Sequence, residues 1–142
     1  MAEQIQKRSL TIRFPDLKGF KAYSRYLAGQ KAGGDFFDVA DYPGGFGVLL
    51  SDSSSYGLSS AVLAILMKIA SRLSAEQSRS TSEMFLRIQE EVKAVLKARD
   101  HLSLFYGNLS YQNWTLRYMN LGNVRAFHAP KGGTFVDLDN HG

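Results

Sequence analysis

Phe36-Phe37-Asp38-Val39-Ala40-Asp41-Tyr42, Pro43-Gly44-Gly45 and Phe46-Gly47-Val48-Leu49-Leu50-Ser51 are the stretch on which the fold turns. Two apolar runs of strand length flank a Pro-Gly-Gly turn signal, so Phe36–Tyr42 and Phe46–Ser51 read as paired strands. A connection this short requires them to run antiparallel. The hairpin's open end then holds Asp35 on one side and Asp52 on the other.

Upstream, Phe20–Leu27 (Phe-Lys-Ala-Tyr-Ser-Arg-Tyr-Leu) reads as a further half-buried strand, and Ala32-Gly33-Gly34-Asp35 as a tight turn. Residues 1–19 form a polar lead-in broken by Pro15; Gln4–Leu10 is a short helix in this reading, the end of a connector from an upstream sensor domain. Downstream, Asp52–Gly57 is a Ser-rich loop. Leu58, Val62, Ile65, Leu66, Ile69 and Leu73 then recur with a 3.6-residue period and predict a helix over Leu58–Leu73. Ser82 with Glu83 opens a second helix to Lys97, striped by Phe85, Ile88, Val92, Val95 and Leu96. Strands follow at Leu102–Ser110, Thr115–Leu121, Val124–Ala129 and Thr134–Leu138, with turns at Tyr111-Gln112-Asn113 and Gly122-Asn123. The order predicts an α+β fold, antiparallel sheet layers with two packed helices, in a domain over residues 20–142.

Composition agrees with one globular domain. The chain has 142 residues, 44% hydrophobic and 21% charged, with nine Phe and seven Tyr as bulky core material. The net charge of +4 suits an acidic partner, but Lys and Arg are scattered and no nucleic-acid-binding motif accompanies them. There is no cysteine, which excludes disulfides and thiolate metal sites. The longest apolar stretch, Ala61–Ala70, contains Lys68 and is too short for a bilayer. The N-terminus lacks the apolar segment of a secretory signal. A cytoplasmic protein that engages neither membrane nor nucleic acid is expected.

A lone Asp beside Gly is more often a turn or cap residue than a ligand. Two at the mouth of one hairpin put a cation site on an equal footing. Convergent carboxylates suit a hard cation such as Mg²⁺ or Mn²⁺, which prefers oxygen donors and lowers the pKa of a bound water that can attack a phosphoester. His101, beside Asp100, is a candidate base, but at a strand entrance a turn residue is the commoner role; His128 reads as a strand residue and His141 as an exposed terminal one. The Ser53-Ser54-Ser55 run lacks a nucleophile elbow, and Gly132-Gly133 lacks the lysine of a phosphate loop.

Ala32-Gly33-Gly34-Asp35-Phe36-Phe37-Asp38-Val39 resembles the GGD(F/Y)(F/Y)D segment of bacterial PPM-type Ser/Thr phosphatases similar to stage II sporulation protein E. Ser51–Ala61 is similar to that family's D-x-S-G-H-G-x-x-A-A loop. Leu102–Gly107 resembles its T-L-F-Y-G strand, with Ser103 at the threonine position, and Tyr118–Asn123 its Y-x-N-A-G-H turn. The resemblance runs in order from about Gln4 to Gly142. It implies a metal-dependent phosphatase that uses metal-activated water on a phosphorylated regulatory protein, such as an anti-anti-sigma-type factor, with two Mn²⁺ or Mg²⁺ ions. It carries over Asp35 and Asp52 as catalytic metal ligands, the Ser53 carbonyl as a further donor, and Asp38 as an outer carboxylate.

The sequence departs from the family in places. Ser55-Tyr56 stand where the family has Gly-His, and its later T-D-G and final Asp motifs do not appear. A phosphatase piece cut from a longer protein and a naturally short relative both fit. So do an enzyme and a catalytically inactive phosphatase-fold binding module in a partner-switching pathway. For this chain alone, weak cation binding and little or no hydrolysis are expected, because two carboxylates under-coordinate a dinuclear site.

Overall fold

A computed structural model of the chain describes residues 19–25, 35–54, 65, 68, 80–94, 96 and 100–138. The strands are β1 (Phe36–Tyr42), β2 (Gly45–Ser53), β3 (Leu102–Ser110), β4 (Leu116–Leu121), β5 (Phe127–His128) and β6 (Val136–Asp137); helix α1 spans Thr81–Lys93. β1 to β4 form one antiparallel sheet in sequence order, and β5 pairs with β6 in a small ribbon. The architecture is α+β.

The hairpin forms where the turn signal stands. Pro43 precedes Gly44, whose φ of 93° is open to glycine without a Cβ penalty, the residue order of a type II turn. Register pairs Tyr42 with Gly45 and runs without a break to Phe36 opposite Ser51.

Directly opposed residues share a face of the sheet. One face carries Phe36 and Asp38 on β1, Leu49 and Ser51 on β2, Leu104 and Tyr106 on β3, and Met119 on β4. α1 covers it with Met84, Phe85, Ile88 and Val92, whose spacing keeps them on one side of the helix. Ile88, Val92 and Leu104 are fully buried. Each such side chain contributes about 1.5–3 kcal/mol of burial free energy, so this layer holds α1 to the sheet. The opposite face carries Phe37, Val39, Phe46, Val48, Leu50, Phe105, Leu109 and Tyr118. At the turn end Ala22 packs on Val39 and Phe46, and Phe20 meets Phe46 edge to ring and Trp114 at a tilt.

Several boundaries differ from the sequence reading. Residues 20–25 are irregular rather than the start of a strand; Phe20 and Ala22 are apolar because they lie over the sheet, which a strand pattern mimics. α1 starts one residue earlier than expected because Ser80, not Ser82, is the cap. Its Oγ accepts the Glu83 N–H at 3.3 Å, and Glu83 Oε2 accepts the Ser80 N–H at 3.1 Å, closing a capping box. The last two strands shrink to two residues each. The helix expected over Leu58–Leu73 lies outside the described residues except at Ile65 and Lys68, both helical. The lead-in over residues 1–18 and the turn at residues 32–34 also lie outside them.

Candidate functional site

The hairpin register decides where the acidic residues meet. β1–β2 pairing ends with Phe36 opposite Ser51, so one further step puts Asp35 opposite Asp52, at the open end of the hairpin and on the face away from α1. The two carboxyl groups stand close enough for Asp52 to act on Asp35. Partial burial, the contact with Asp52 and the charge on Asp52 push the Asp35 carboxyl above its ordinary range. Both residues remain solvent-exposed.

The same row continues across the sheet. Asp52 is opposed to Ser103 on β3. Ser103 is buried, and its Oγ accepts the Asn123 N–H at 2.9 Å. Gly122, at φ 83°, passes so close that a Cβ there would lie 2.5 Å from Ser103 Oγ. Asp35, Asp52, Ser103 and the Gly122–Asn123 turn therefore form one line across four strands, at one end of the sheet. Beyond the turn a cavity of about 330 Å³ opens between Asn120, Val124, Arg125 and Asp137. Arg125 pairs with Asp137 across its rim, and Asn120 Nδ2 donates to the Val124 carbonyl at 2.8 Å.

Of the residues singled out from sequence, the structure brings Asp35 and Asp52 together. Ser53 follows Asp52 at the end of β2, with its side chain buried on the α1 face. Asp38 is not brought to the pair. It lies opposite Leu49 on the α1 side and is 1% exposed. Residues 55–60, including Tyr56, lie outside the described residues. The sequence marked Ser103 and Asn123 only as motif and turn positions, not as partners. The register, extended from β2 to β3, is the signal that would have found the row.

Oxygen donors only, two of them adjacent and reachable by solvent, fit a hydrated divalent cation; such an ion compensates the like charge that raises the Asp35 carboxyl. Among the described residues, no group of three or more His, Asp or Glu side chains converges on one point. Among the described residues the ligand set there is the carboxylate pair, and Mg²⁺ tolerates few protein ligands when it keeps several waters.

No curated protein gives a significant match to the chain. Residues 42–142 match the family described as Stage II sporulation protein E (SpoIIE), a span that includes Asp52, Ser53 and Ser103 and begins after Asp35 and Asp38. The antiparallel sheet, the helix on one face of it and this match over more than half the chain agree, and the chain belongs to the SpoIIE family of PPM-type phosphatase domains.

Proposed function

We propose that the chain is a metal-dependent protein serine/threonine phosphatase domain whose cation site includes Asp35 and Asp52. The observation that supports this most is the meeting of those two carboxyls on one exposed sheet end. Asp35 and Asp52 would hold Mn²⁺ or Mg²⁺, with the Ser53 carbonyl as a further oxygen donor. A bound cation supplies positive charge to the phosphoryl oxygens and activates water for attack. Asp35 and Asp52 would orient the ion at the strand ends, and Ser103 holds the neighbouring turn through the Asn123 N–H. The natural substrate on this reading is a phosphorylated regulatory protein of the anti-anti-sigma type, encountered in the cytoplasm, with a sensor domain upstream. Among the described residues no helix is long and apolar enough to cross a membrane.

A second reading, a phosphatase fold that docks its partner without turnover, is favoured by the small carboxylate set among the described residues. Manganese titration by calorimetry, run beside hydrolysis of p-nitrophenyl phosphate, separates the two. The enzyme reading expects weak manganese binding and slow hydrolysis, both lost in Asp35→Asn and Asp52→Asn. Manganese binding with no hydrolysis favours the docking module. Binding that survives both substitutions removes the metal site altogether.

A further inference from the structure

β2 and β3 stay paired one step beyond the sheet register. The Ser54 N–H donates to the His101 carbonyl at 3.0 Å, and the His101 N–H donates to Ser54 Oγ at 2.8 Å. These two bonds clamp His101 opposite Ser54. Because Ser103 is opposed to Asp52, His101 falls two residues along β3 on the same face, on the diagonal from Asp52. Diagonal neighbours in an antiparallel pair are about 7–8 Å apart, within reach of an aromatic ring. The His101 side chain is exposed, so no core packing engages its imidazole. It also stands outside ligand range, since no third His, Asp or Glu joins Asp35 and Asp52 among the described residues. A histidine whose backbone is clamped on the diagonal from an acidic pair, with its ring exposed, is placed to act on whatever the pair holds.

We propose that His101 is the proton donor to the leaving oxygen of a phosphoserine or phosphothreonine ester that would be held through a divalent cation at Asp35 and Asp52, an inference that rests on the phosphatase reading. Water oxygen forms a bond to phosphorus while the bond from phosphorus to the ester oxygen breaks. The electron pair of that bond stays on the ester oxygen, which takes the imidazolium proton and leaves as the serine or threonine hydroxyl. The proton lost by the attacking water passes to solvent, from which the imidazole is recharged. Water is consumed and inorganic phosphate released. Imidazole is the side chain most often used for such proton transfer in catalysis.

Two measurements on the intact chain test this. In histidine-ring NMR with saturating Mg²⁺, inorganic phosphate should shift the His101 signals, leave those of His128 in place, and lose its effect in Asp52→Asn. His101→Gln should then lower hydrolysis of a short phosphoserine peptide by about a hundredfold, the lower range of general-acid catalysis. It should change p-nitrophenyl phosphate hydrolysis by less than about threefold, because nitrophenolate departs without a proton. Manganese affinity and urea stability should not change. A silent His101 ring, an equal fall on both substrates, or no fall on either overturns the inference. If manganese binding is meanwhile lost in the aspartate variants, the metal site stands without it. If manganese never binds, the phosphatase reading goes first and the silent ring goes with it.

Discussion

Asp52 and Ser103 stand opposite each other on β2 and β3, and the Ser103 hydroxyl holds the Asn123 N–H at 2.9 Å. An acidic residue at the hairpin mouth and a turn twenty residues beyond Ser103 are thus joined through one buried serine. The candidate site is a row across a sheet rather than a loop of consecutive residues, and each position in the row makes its own demand.

At the acidic end, the demand is electrostatic. Folding raises the Asp35 carboxyl above its unfolded value of 3.8, so the folded state favours its neutral form. The resulting penalty is absent below that unfolded value, grows as pH rises through the raised one, and is full at neutral pH. Asp35→Asn should therefore stabilise the metal-free chain at neutral pH, by on the order of 0.5 kcal/mol after solvent screening. At acidic pH the two proteins should converge. Urea unfolding at several pH values, with chelator present, measures this; a variant less stable than its parent at neutral pH contradicts it.

At the turn, the demand is steric. Gly122→Ala should destabilise by about 1–3 kcal/mol, because φ is 83° and the new Cβ meets Ser103 Oγ at 2.5 Å. Ser103→Ala made together with it should recover part of that loss, leaving the backbone strain. A double-mutant cycle by chemical denaturation reads the coupling, and simple additivity would show that the contact does not matter.

Under the sheet, α1 should respond to its cap and its core on different scales. Ser80→Ala removes the capping box and should cost about 1 kcal/mol. Ile88→Ala empties a fully buried position against Leu49 and Leu104 and should cost about 2–5 kcal/mol. Equal losses in denaturant midpoints would mean that the helix is not packed as described.

Tyr106 offers a spectroscopic check on the α1 side. Burial, with a smaller push from Tyr42, moves its phenol up to about 12 despite the nearby Asn108. Its ionisation should appear late in an ultraviolet titration and vanish in Tyr106→Phe. Between the unfolded value of 10.0 and that raised one, the unfolded chain loses this proton while the folded chain keeps it, so this group makes stability fall with rising pH. Tyr106→Phe should remove that part of the alkaline sensitivity.

Much of the architecture was legible in sequence where one signal had one meaning. Pro43-Gly44 between two apolar runs could only be a hairpin, and it carried the apposition of Asp35 and Asp52 with it. The apolar stripe of α1 was equally plain. Phe20 and Ala22 misled because residues laid over a sheet alternate much as residues within one do. The cap moved to Ser80 because Ser80 and Ser82 both satisfy the cap preference, and only the reach back from Glu83 separates them. Asp38 reads beside Asp35 in sequence, yet three residues along a strand reverse the face. His101 and Ser103 were both visible in the sequence, but their nearness to Asp52 was not: they lie about fifty residues from it, and no local pattern states which strand will pair with β2.

Gly44 and its turn have a kinetic consequence. A two-residue connection closes the hairpin on about the microsecond scale, long before pairings such as β2 with β3 can be searched. The Asp35–Asp52 repulsion is therefore met at the first step of assembly, by the most local element of the sheet. Neutralising it, by a proton or a cation, should act on the rate at which the chain folds and barely on the rate at which it unfolds.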